Sequence, residues 1–135
     1  MKGTSHLTIK KNLSFSKDVV KHLSRVVQKK LPADVVIVAV SEKESWRLNR
    51  MYRQKDKPTN VLSFFYGKEY GEIIVCPTVI RREAKAQGNS FAYQMTWMIV
   101  HGMIHLSGVH HEASASKAKR FEKIEQRVLK SIAAR

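Results

Sequence analysis

The spacing of hydrophobic residues along this chain switches between the helical period of about 3.6 and the short apolar runs of a strand. His6 to Lys10 alternates like a short strand. From Ser16, a fitting N-cap, Val19, Val20, Leu23, Val26, Val27 and Leu31 keep the helical period until Pro32 closes it. Val35-Val36-Ile37-Val38-Ala39-Val40 is an unbroken apolar run, which predicts a buried strand. Strand, helix and strand in that order predict a βαβ unit with a right-handed crossover. Ser41 and Glu44 have the spacing of a capping box, and the helix they open runs to about Arg53 with Leu48, Met51 and Tyr52 inward.

Gln54 to Asn60 is polar and broken by Pro58, so it predicts a loop. Val61 to Tyr66 and Glu72 to Cys76 predict two strands joined as a hairpin, with Gly67 and Gly71 bounding its charged tip. Pro77 suits the first turn of a helix that Gly88 ends, with Arg81, Arg82 and Lys85 on its exposed side. Asn89 or Ser90 then caps a helix of a different kind. From Phe91 to Leu106 it has almost no polar face, and a helix apolar all round is a buried one. The last helix, about Ser114 to Ala134, is amphipathic again, with Phe121, Ile124, Val128, Leu129 and Ile132 inward. No internal repeat, low-complexity tract or linker interrupts residues 1–135, so one domain is expected.

The apolar helix carries two residues that do not suit a dry core. His101 and His105, four positions apart, stand on one face with their Cβ atoms about 5–6 Å apart. A buried imidazole needs a partner, and one metal ion serves two rings at Zn–N distances of about 2.0–2.1 Å. The plainer alternative is a pair of core histidines bonded to backbone or carboxylates. Gly108 weighs against it, because it stands where a helix ends on a left-handed residue and lets the chain return a third imidazole to the same ion. His110 and His111 both follow, and the spacing of the known helix-turn zinc sites selects His111. Three neutral ligands leave a tetrahedral zinc one position short, the mark of a catalytic site. The zinc proteases with this spacing carry a glutamate base after the first histidine. Here that position is Gly102, which disfavours peptide hydrolysis.

Charge bears on the substrate. The chain has 25 Lys and Arg against 11 Asp and Glu, a net charge of +14, which favours polyanions and salt-dependent binding. The basic residues are spread along the whole chain, which favours nucleic acid over an anionic membrane. No apolar run could span a bilayer, the N-terminal residues lack the apolar core of a signal peptide, and the single Cys76 excludes an internal disulfide. A cytoplasmic protein without a membrane partner is therefore expected. For a phosphoryl substrate, zinc would polarise an oxygen and an arginine would hold the charge of the transition state. Arg47, Arg50 and Arg53 recur every third residue, a pattern that usually marks a solvated face. Arg53, at a helix end before the polar loop, is the best placed of them for catalysis.

These residues also carry a family resemblance. His-Gly-Met-Ile-His-Leu-Ser-Gly-Val-His-His, residues 101–111, resembles the H-G-x-L-H-L-x-G-Y-D-H signature of the YbeY endoribonucleases, the bacterial rRNA maturation factors. Leu48 to Phe64 resembles their L-N-x-x-Y-R-x-K-D-x-P-T-D-V-L-S-F block, and Gly71 to Cys76 their G-D-I-x-I-C strand. The sequence departs from the signature at Val109 and His110, where the family has Tyr-Asp, and at Asn60, where it has an aspartate. The resemblance implies an α+β fold, a small mixed four-stranded sheet packed with about five helices around a buried, metal-bearing central helix. It implies a zinc-dependent, single-strand-specific endoribonuclease, cytoplasmic, acting in 16S rRNA 3′-end maturation and ribosome quality control. It assigns one zinc ion to His101, His105 and His111, a functional role to Arg53, and the ribosome or small-subunit proteins as partners. The competing reading is a non-enzymatic assembly factor that binds rRNA or a ribosomal protein through a basic, zinc-stabilised surface.

Overall fold

The computed structural model describes residues 6–9, 30–108 and 115–133. Its strands are β1 (His6–Ile9), β2 (Asp34–Ala39), β3 (Val61–Phe65) and β4 (Tyr70–Val75). Its helices are α1 (Glu42–Arg53), α2 (Pro77–Gln87), α3 (Phe91–Leu106) and α4 (Ala115–Ala133). The fold is α+β. The sheet runs β1-β2-β4-β3, parallel at β1/β2 and β2/β4 and antiparallel at the β3/β4 hairpin, so β3 is an edge strand. Five helices were expected and four are described, because the segment predicted as a helix over 16–31 lies outside the described residues apart from its last two positions.

The core lies between the sheet and α3. Val35, Ile37, Ala39, Ile73 and Val75 point from the sheet toward Met95, Ile99, Val100, Met103 and Ile104 of the helix. At about 1.5–3 kcal/mol for each large side chain removed from water, these contacts hold the fold together. Helix α4 closes the far side of α3 with Phe121, Val128 and Leu129, and α2 packs on α3 with Ile80. Among the described residues no helix is long and apolar enough to cross a membrane.

Gly102 sets how closely α3 meets the sheet. A Cβ there would stand 2.9 Å from Ile73 Cγ2 and 3.0 Å from Ser63 Oγ, and that hydroxyl donates to the Gly102 carbonyl at 3.2 Å. The absence of a glutamate at this position is therefore a packing requirement, since the position faces the sheet. At the other end of the histidine turn, Gly108 has φ +91°, the positive-φ residue expected after the helix.

Capping follows the sequence in part. Ser41 accepts from the Glu44 backbone N–H at 3.1 Å, but the Glu44 carboxylate does not reach back as a capping box requires. It turns to Arg47 instead, at 2.6 and 2.8 Å. Ser90 is the cap of α3, accepting from Tyr93 N–H, while Asn89 bonds Gln94. The basic side of α2 is partly engaged, with Arg82 paired to Glu42 of α1 and Arg81 lying 4.1 Å over the Phe91 ring.

Candidate active site

The last two turns of α3 place His101 and His105 side by side, ring centroids 4.8 Å apart and nearly edge to face. Both are half-buried, because they open into a cleft where the sequence predicts a fully buried pair. Helix α4 holds them from below. The Phe121 ring lies 4.8 Å from His101 and 4.9 Å from His105, and Glu125 Oε2 is 2.7 Å from His101 Nδ1.

The cleft has a volume of ≈ 390 Å³. Its walls come from α1 and the loop after it (Asn49, Arg53, Lys55, Lys57, Thr59, Asn60), from β3 (Val61, Leu62, Ser63, Phe65) and from α3 (His101, His105, Leu106). Arg53 reaches across from the last turn of α1, its guanidinium Nη2 donating to the Ser63 carbonyl at 3.3 Å. Of the three arginines spaced along α1, Arg47 is paired with Glu44, Arg50 is exposed, and Arg53 lines the cleft.

The polar loop is latched mostly by residues that the sequence does not single out. Ser45, buried on α1, donates to the Thr59 carbonyl at 2.7 Å and accepts from the Thr59 N–H at 2.9 Å. Buried Asn49 donates to the Lys57 carbonyl at 2.8 Å, Trp46 bonds Asp56, and Asn60 donates to Glu83 of α2. These bonds hold Lys55 and Lys57 on the cleft side. On β3, Ser63 faces α3, so alternation places Phe65 on the same side, 59% exposed at the cleft wall.

The structure thus brings Arg53, His101 and His105 to one cleft. His111, the third expected zinc ligand, lies outside the described residues, as does His110. Among the described residues no group of three or more His, Cys, Asp or Glu side chains could hold a metal ion. The expected metal-bearing helix is therefore matched only in part: α3 supplies two of the three expected imidazoles, and the third falls outside the described residues. What α3 does supply fits a borderline cation by donor type, two neighbouring imidazoles with one ring already tied to a carboxylate.

A family model described as Endoribonuclease YbeY matches residues 2–133. The chain belongs to the YbeY endoribonuclease family. Curated relatives bearing that name include one from Thermotoga petrophila, 38% identical over 84% of this chain and 78% of its own length. One from Aromatoleum aromaticum is 42% identical over 74% of this chain and 66% of its own length. A solution structure from Thermotoga maritima superposes with TM-score 0.65 at 27% identity, covering 96% of this chain and 93% of the other. The family's name points to a hydrolase acting on RNA, and the charge on the cleft walls agrees with a polyanionic substrate.

Proposed function

We propose that this chain is a zinc-dependent endoribonuclease that cuts single-stranded RNA, acting on 16S rRNA in 3′-end maturation and ribosome quality control in the cytoplasm. It holds one zinc ion through His101, His105 and His111, and Arg53 is its catalytic cation. The observation that carries this reading is the meeting of two imidazoles with Arg53, Lys55 and Lys57 around one cleft, from segments far apart in the chain.

The donor set is what zinc selects, since neutral ring nitrogens suit it better than they suit magnesium or calcium. When bound, the ion supplies Lewis acidity toward a phosphate oxygen. Arg53 binds the same phosphate: its planar guanidinium offers two parallel donors and holds the charge that builds on the equatorial oxygens. Lys55 and Lys57 hold neighbouring phosphates and set the register of the strand. The exposed Phe65 ring is a stacking surface for a base, and only an unpaired base can reach it. That favours single strands over duplexes.

The test is cleavage of an end-labelled single-stranded RNA by the purified protein, with and without a chelator, followed by zinc add-back. The expected result is chelator-sensitive cleavage that zinc restores, and loss of cleavage in His111→Ala and Arg53→Glu at unchanged circular dichroism. Cleavage at full rate in the chelated protein or in Arg53→Glu overturns the reading. Binding without cleavage under every condition is the result expected of a non-enzymatic assembly factor.

A further inference from the structure

We infer that Glu125 is a positioning residue for the histidine pair, fixing which nitrogen of His101 carries the proton and which is left to face a cation. The inference deepens the metal reading above and rests on it. Carboxylates are seldom buried without a partner. Glu125 is only 6% exposed, and its Oε2 lies 2.7 Å from His101 Nδ1.

A carboxylate oxygen accepts hydrogen bonds and donates none, so in the neutral ring the Nδ1 of His101 carries the proton and donates a hydrogen bond to Glu125. The lone pair of the ring is then on Nε2. Phe121, one turn before Glu125 on α4, sets its ring against both imidazoles and limits their rotation. Helix α4 therefore presents residues at i and i+4 to a pair at the same spacing on α3, one wedging the rings and the other choosing a tautomer. An imidazole held in this way is a better electron donor and loses less freedom when it takes up a metal ion. The acceptor comes from 24 residues further along the chain, on another helix.

Two variants separate this role from simple packing. Glu125→Gln keeps a carbonyl oxygen that can accept from Nδ1, whereas Glu125→Leu fills the space and accepts nothing. Zinc dissociation constants are measured by competition with a chromophoric chelator, with thermal melts to confirm folding. The expected result is affinity lower by about 10–100-fold in Glu125→Leu, most of it recovered in Glu125→Gln. In the metal-free protein, long-range proton–nitrogen spectra should show His101 as the Nδ1–H tautomer, a measurement that needs no variant. Equal zinc affinity in folded Glu125→Leu and the parent protein, or an Nε2–H tautomer in the parent, overturns the inference. If the parent takes up no zinc, the metal reading falls on that result, while the tautomer still decides what Glu125 does to His101.

Discussion

Gly102 lies next to one candidate ligand and yet acts through the sheet. Substituting alanine gains helix propensity of up to about 1 kcal/mol. Against that, the new methyl meets Ile73, a fully buried β-branched residue that cannot swing aside, and such overpacking costs about 1–3 kcal/mol. The overpacking wins, and Gly102→Ala should lower stability by roughly 1 kcal/mol, read as a lower urea midpoint at unchanged slope. An unshifted midpoint would show that Ile73 and Ser63 yield. Arg53 is the opposite case, an exposed side chain whose loss should leave stability alone. Arg53→Ala is expected to lower the rate of RNA cleavage by about 10²–10³-fold. Arg53→Lys should recover only part of it, because an ammonium cannot make two parallel bonds to a phosphate.

Among the elements, the loop between α1 and β3 is ordered by side chains of α1, and the cleft depends on that order. Ser45→Ala removes both the donor to the Thr59 carbonyl and the acceptor of its N–H, at a cost of about 1–3 kcal/mol for the groups left unmatched. Faster hydrogen exchange at the Thr59 amide and weaker RNA binding should appear together in this variant. The β3/β4 hairpin has its own pH response. Tyr66 and Tyr70 both donate to Glu72, at 3.2 and 2.8 Å. Their hydroxyl pKa values are raised, Tyr66 chiefly by partial desolvation with Glu72 adding to it, Tyr70 chiefly by its hydrogen bond to that carboxylate. The folded hairpin thus keeps protons that the unfolded chain releases. The stabilisation is complete below the ordinary tyrosine pKa of about 10 and is lost as pH rises through the raised values. Phenolate absorbance should show these two tyrosines ionising at lower pH in Glu72→Gln than in the parent protein.

At the scale of the molecule, the net charge of +14 favours polyanions, and the proposed function puts the RNA strand in the cleft. Affinity for a single strand should fall linearly with salt on logarithmic axes, with a slope of about 0.7 for each phosphate neutralised. Replacing both Lys55 and Lys57 by alanine should therefore lower that slope by about 1.4. The same double change made at exposed Lys43 and Lys85, which do not line the cleft, should leave cleavage of bound RNA untouched. An unchanged slope in the cleft variant would remove the two lysines from the RNA path.

Local pattern was enough for the elements themselves. The lack of a polar face marked α3 as the buried centre, spacing put His101 and His105 on one face, and Pro77 and Gly108 sat where helices begin and end. These features are legible because each depends on neighbours within a turn or two. Tertiary structure alone decided the rest. It opened the histidine pair to a cleft, made Gly102 a contact with the sheet, and brought Glu125 to His101. The bonds that build the site join residues 14, 24 and 39 positions apart. No local propensity records such pairs, because a hydrogen bond between distant residues exists only after packing has brought them together.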